Sequence, residues 1–288
     1  MPPRHDPRPA GWQRFGAAPA VWNGYPMPGL SSDALLDLLR EVAAEVITPR
    51  FRSLATGEVM EKNPGDLVTV ADREAETVIT ARLTAAYPDA VVLGEEAHAL
   101  DHSVMDRYLA ADHAFTVDPV DWTKNFVHGS PDHAVMVAET RGGETVRAWI
   151  WQPEHDVAWV AERGAGTWRN GENVRTNPVV DDPRGVTSIW AMRGHALDGM
   201  PPMRLSWVCC GVDYARLIEG AADYIIYSRS NPWDHAPGAL LVTEAGGAVG
   251  HPDGTTYGPR SLRPGLIVAV DRHTYAAVQR RAHVAFER

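Results

Sequence analysis

A chain of 288 residues that is 44% hydrophobic can bury a sizeable core, as one large domain or two tightly packed ones. Its formal net charge of −10 argues against a nucleic-acid-binding surface, although a local metal site can still recruit anionic substrates. No apolar run reaches the roughly twenty residues of a membrane span, and no internal repeat or H-E-x-x-H or Cys/His zinc spacing is present. The two cysteines, Cys209 and Cys210, are adjacent and poorly placed for an ordinary disulfide, which fits a reducing cytoplasm.

The first thirty residues form a proline-rich arm with no apolar signal core, expected to be extended or disordered to about Pro28, although Trp12, Phe15, Trp22 and Tyr25 are unusual for a free tail. Ser32 to Ala43 has a Ser/Asp start and apolar residues at helical spacing, and Arg73 to Tyr87 repeats the pattern up to Pro88. Val91-Val92-Leu93 is a strand that runs through Gly94 into the acid pair Glu95-Glu96. His113 to Val117 is a second buried strand, followed at once by Asp118-Pro119-Val120-Asp121-Trp122-Thr123 and a helix opening at Lys124.

Ala134–Ala138, Arg147–Trp151 and Asp156–Ala161 alternate as an antiparallel meander, with Gly142-Gly143 as one turn. A helix pair on such a sheet makes an α+β layer. Past Asn177 strands mix with helices predicted at Val212–Glu219 and Ala236–Ala245, and a last strand at 265–270 precedes a closing helix from His273. The expected organisation is an arm (1–30), an α+β metal-binding half (31–176) and an α/β half (177–288).

The segment 118–123 carries the chemistry. It places two carboxylates, a hydroxyl and a helix start at a strand-to-helix crevice, where ligands collect. Asp118 and Asp121 cannot both be desolvated as anions without a counter-charge, and no arginine lies within the cluster. A divalent cation would serve, and oxygen-only ligands suit Mg²⁺ better than zinc. An aspartate here could equally be the N-cap of the following helix. The same choice applies to Asp234 in Asn231-Pro232-Trp233-Asp234-His235, which also stands at a helix start.

Taken in order, these segments resemble the inositol monophosphatase family, within the Mg²⁺-dependent, lithium-sensitive phosphatase superfamily. The likeness runs from about Leu35 to Val278 and includes Gly65-Asp66-Leu67-Val68-Thr69-Val70-Ala71-Asp72, like the family's D-x-V-T-x-x-D segment. Gly164-Ala165-Gly166-Thr167-Trp168-Arg169-Asn170-Gly171 is similar to its G-A-x-x-N-G hairpin. The resemblance implies a layered α-β-α-β-α sandwich, two or three Mg²⁺ ions, a small phosphorylated metabolite as substrate, and a homodimer.

It further implies that Glu95, Asp118, the Val120 carbonyl, Asp121 and Asp234 hold the metals, with Glu96 close by. Asp72, Glu95 and Thr123 would be catalytic, Asp72 and Thr123 as a hydrogen-bonded pair that orients a water on the metal. The backbone N–H groups of Trp122 and Thr123 would receive phosphate oxygens.

Two departures stand out. The family's motif is D-P-x-D-G-T, and this chain has Trp122 where the glycine belongs. Glycine there serves either close backbone approach or an unusual backbone angle, so tryptophan implies a reshaped pocket and possible loss of catalysis. Inositol-specific members also place an acid where this chain has Tyr227, and Val208-Cys209-Cys210-Gly211-Val212-Asp213 replaces a small-residue loop. Trp122, Thr123, Cys210, Gly211 and Tyr227 are therefore the expected substrate contacts, with Arg229 or Asp213 as polar candidates. Sugar, inositol, histidinol and nucleotide-derived phosphates all remain open as substrates.

Overall fold

A computed structural model describes residues 21–22, 25–26, 29–179 and 182–286. Most of the proline-rich arm lies outside the described residues; within it, Val21–Trp22 pairs antiparallel with Tyr25–Pro26.

The larger sheet has seven strands in the spatial order Glu172–Val174, Gly166–Arg169, Val157–Glu162, Glu144–Gln152, Ala134–Arg141, His113–Asp121 and Val91–Gly94. All neighbours are antiparallel except the last pair, where Val91–Gly94 runs parallel to Ala114–Val117. The smaller sheet has five strands in the order Arg204–Leu205, Gly185–Thr187, Tyr224–Tyr227, Leu266–Ala269 and Ala248–Gly250.

Alternation along the strands sorts the layers, because successive side chains point to opposite faces. Val135, Val137, Trp149, Trp151, Ala158 and Val160 meet the helices Ser32–Val42 and Val70–Ala86. Their neighbours Ala134, Met136, Ala148, Ile150, Trp159 and Ala161 meet the helices Cys210–Ile218 and Pro232–Glu244, together with Ile225, Tyr227, Leu266 and Val268 of the smaller sheet. On that sheet's far face Tyr224, Ile226, Ile267 and Ala269 pack on the C-terminal helix Arg272–Phe286 through Val278 and Ala282. The result is the expected α-β-α-β-α sandwich. Both faces of both sheets are covered, so the central strands carry apolar residues on both faces, with Glu139 and Arg147 buried as an ion pair between two of them.

Several boundaries differ from those read in the sequence. The strand expected at 113–117 continues to Asp121, pairing Asp118 with Met136 and Asp121 with Ala134 around an irregularity that contains Pro119. Proline lacks the N–H a regular ladder would need, and a bulge tolerates that loss. The second helix starts at Val70 rather than Arg73, because Thr69 and Asp72 form a capping box. A short helix, Glu95–Leu100, follows Gly94 and was not anticipated. The helix expected from Ala236 begins at Pro232, where proline suits the first turn, and runs on through Pro237.

The helix Pro232–Glu244 is clamped between layers. A Cβ added at Gly238 would lie 2.0–2.4 Å from ring atoms of Tyr214. Gly238→Ala should therefore destabilise the protein by about 1–3 kcal/mol through overpacking, despite alanine's better helix propensity. Urea denaturation checks this.

Candidate active site

The acid cluster forms where a strand end meets a helix start. Asp118 and Asp121 close a central strand of the larger sheet, and Asp234 sits in the first turn of Pro232–Glu244. Each offers a carboxylate oxygen, and these oxygens lie within 4.8 Å of one another. Asp118 and Asp121 are buried, Asp234 half-buried. Burial pushes the Asp118 and Asp234 carboxyls well above the ordinary aspartate range, and the charges of Glu95 and Asp121 push both the same way, against the hydrogen bonds that Asp234 makes with Asn231 and Asp118. Burial also raises Asp121, to about 6, against the hydrogen bonds it accepts from the Cys209 thiol (3.0 Å) and the Gly211 amide (2.6 Å).

Three buried like charges are tolerable only as neutral acids or around a cation. The donor set fits Mg²⁺: every side-chain ligand atom is a carboxylate oxygen, and Asp118 Oδ1 is buried with no hydrogen-bond partner. An orphaned anionic oxygen aimed into a group of carboxylates is what an oxygen-seeking cation would satisfy.

Glu95 and Glu96 open the short helix after Gly94. Lys62, from the hairpin Val59–Asn63/Asp66–Thr69, bridges them at 2.6 and 2.8 Å. Burial pulls the Lys62 ammonium down, but the two carboxylates more than offset it and hold it above the usual lysine range. Sequence reasoning missed this lysine, whose only signal was its place just upstream of the Asp66–Asp72 segment. Glu76 was missed too. Its carboxylate accepts the amides of Glu96 (2.7 Å) and Ala97 (2.8 Å), so it caps the helix that presents Glu95. Gly94 leaves room for that carboxylate, since a Cβ there would fall 2.2 Å from the Glu76 Cδ.

Thr123 Oγ1 donates to Asp72 Oδ1 at 2.7 Å and lies 3.4 Å from the Val120 carbonyl oxygen. Asp72 also accepts the Thr69 amide at 2.8 Å, and burial pushes its carboxyl up to about 6 despite the bonds from Thr69 and Thr123. One aspartate thus caps a helix and faces the cluster.

Trp122 adopts φ 63°, ψ 63°, the left-handed region natural to glycine. A bulky residue there costs roughly 1–3 kcal/mol. The substitution is absorbed as local strain, and the Thr123–Asp72 bond and the aspartate trio coexist with it. The indole is 37% exposed, with the Lys124 ammonium 5.7 Å from its ring centre.

The expected substrate contacts fare unevenly. Tyr227 is only 2% exposed and its hydroxyl donates inward to Asp213 Oδ2 at 3.3 Å, so it turns away from any ligand. Gly211 has its amide committed to Asp121 and its carbonyl to Gln152 Nε2 at 2.9 Å. Asp213 is fully buried, accepts the Trp207 amide at 2.8 Å, and is structural rather than a substrate contact. Cys210 is partly exposed at the first position of its helix, and Arg229 is exposed.

Burial pushes the Asp213 carboxyl up to about 8. Because the folded value is raised, its contribution to stability is complete below the ordinary aspartate value and is lost as pH rises through about 8. Asp213→Asn, which stays neutral, should therefore gain stability relative to the parent between about pH 5 and about pH 9, by up to a few kcal/mol. Urea unfolding of both proteins at the two pH values reads the difference.

The profile of the "Inositol monophosphatase family" matches residues 32–285. The chain is 32% identical to an inositol-1-monophosphatase of Mesorhizobium japonicum over 255 residues, covering 83% of this chain and 92% of that one. It is 30% identical to Nus factor SuhB of Pseudomonas aeruginosa over 250 residues, covering 82% and 90%. Among solved structures, an IMPase of Thermotoga maritima superposes with a TM-score of 0.73 at 26% identity, covering 88% of this chain and 97% of that one. With the acid cluster, the sandwich and the sequence in agreement, the chain belongs to the inositol monophosphatase family.

Proposed function

We propose that this protein is a Mg²⁺-dependent phosphomonoesterase acting on a small phosphorylated metabolite of the inositol-phosphate, sugar-phosphate or histidinol-phosphate kind. The observation that carries it is the Thr123–Asp72 hydrogen bond standing beside three mutually close aspartates. Glu95, Asp118, the Val120 carbonyl, Asp121 and Asp234 would hold the metal. Bound Mg²⁺ would supply a lowered water pKa and neutralise charge on the phosphoryl oxygens.

The chain's own groups supply the rest. Thr123 gives its hydroxyl proton to Asp72, leaving its oxygen lone pairs to accept a proton from the attacking water. Asp72, with a carboxyl near 6, is mostly ionised at neutral pH and can take the proton relayed through Thr123. Lys62 ion-pairs with both Glu95 and Glu96 and offsets part of the local negative charge that would repel a phosphate. No nucleophilic side chain is needed, so no covalent enzyme intermediate forms. A cytoplasmic homodimer completes the proposal, and the two free cysteines are compatible with that compartment.

Millimolar Mg²⁺ should raise the melting temperature of the full chain by mass action. Asp234→Asn should weaken that Mg²⁺ effect by at least tenfold in apparent affinity and abolish turnover, without unfolding either sheet. Acids that served only as helix caps would give no Mg²⁺ effect at all, and calorimetry with and without the ion separates the two.

A metal-binding relative with little turnover is the alternative, favoured by the strained Trp122. Assay of a phosphate-ester panel with Mg²⁺ decides it: turnover by the parent chain supports the phosphatase, whereas activity gained only in Trp122→Gly supports the impaired form.

A further inference from the structure

Asp121 is bracketed by two apolar residues on left-handed backbone. Trp122 follows it at φ 63°, and Val208 stands at φ 53° immediately before Cys209, whose thiol touches the Asp121 carboxylate. For a β-branched residue such as Val208 that conformation is a genuine outlier. Strain of this kind persists where surrounding contacts over-determine it, and it gathers at ligand sites.

Neither side chain is sunk in the core. Trp122 is exposed and Val208 partly so, and Cys210 extends the same border. The Lys124 ammonium that faces the indole also comes close to Gly65, at the turn of the hairpin whose Lys62 grips Glu95. The indole therefore belongs to the rim of the acid cluster, between Asp121 and that hairpin.

Two polar groups behind this border are committed inward. Tyr227 and Asp213 satisfy each other inside the protein, so neither offers an acceptor to the hydroxyls of a polyol. The apolar groups on this border are the aromatic face of Trp122 and the branched aliphatic Val208, with the Lys124 ammonium beside the indole.

Resting on the phosphatase proposal above, we infer that the alcohol half of the preferred ester carries a planar aromatic or heteroaromatic ring, which lies on the Trp122 indole and against Val208. Ring-on-ring contact adds selectivity beyond the area it covers, and planarity distinguishes it from a merely greasy pocket.

Two non-hydrolysable ligands of matched size separate these effects: 2-phenylethylphosphonate, which is planar at the ring, and 2-cyclohexylethylphosphonate, which is not. Calorimetric titration of the full chain in Mg²⁺ should show the phenyl compound bound about fivefold more tightly. Trp122→Gly and Trp122→Leu should bring the ratio to about one, and Trp122→Phe should keep most of it. Val208→Gly should weaken both ligands together. The glycine variants relieve left-handed backbone and so should fold at least as well as the parent, which thermal melting verifies.

Equal affinity of the parent for the two phosphonates, no binding of either, or a preference that survives Trp122→Gly would overturn ring recognition. Turnover of the ester panel is read separately. Ring preference without turnover of any ester would sustain ring recognition and sink the phosphatase, whereas turnover without ring preference would do the reverse.

Discussion

Mutual repulsion among desolvated carboxylates is the constraint on which the rest of the site depends. Asp118, Asp121 and Asp234 are brought within 4.8 Å of one another, with Glu95 adding its charge from the next strand end. A fold left to its own preferences would spread them. Here each is fixed by an element too rigid to yield: a central strand covered on both faces, a helix wedged between two sheets, and a capped turn after an edge strand. The buried apolar layers supply the free energy that keeps the charges together.

The supporting groups follow from the same constraint. Lys62 places an ammonium between Glu95 and Glu96, Glu76 fixes their helix through two amides, and the Cys209 thiol and Gly211 amide satisfy Asp121. Each is a partner for a charge that water no longer reaches. Asp72 and Thr123 satisfy each other in a similar way, and their bond survives a tryptophan in a glycine conformation between the motif's last aspartate and its threonine. The strain stays at one residue because the strand before it and the Thr123 bond after it are both locked.

Much of this was legible in the chain. Runs of apolar residues at 134–138, 147–151 and 156–161 gave the meander, since successive residues pack on opposite faces of a sheet covered on both sides. Aspartates placed after apolar runs gave the cluster, because strand ends and helix starts have local signatures. What stayed hidden was non-local. Lys62 approaches Glu95 from a hairpin more than thirty residues earlier, and nothing in its neighbours announces the pairing. Tyr227 occupied a position that suggested a ligand contact, yet this strand residue turns its hydroxyl inward to Asp213 on the helix Cys210–Ile218. The extra strand length to Asp121 was obscured by Pro119, whose tolerance depends on a bulge that only the partner strand reveals.

Asp118 and Asp234 stand more than a hundred residues apart in sequence and belong to elements packed on opposite sides of one core layer. Closing so long a loop costs chain entropy that is repaid only after both sheets have formed. The acid cluster is therefore expected among the last contacts to assemble. A cation that binds it acts on the native state and hardly on the folding nucleus, so its effect falls on the rate of unfolding rather than on the rate of folding. An ion held by this ligand set would act as a late kinetic latch and lengthen the lifetime of the native protein.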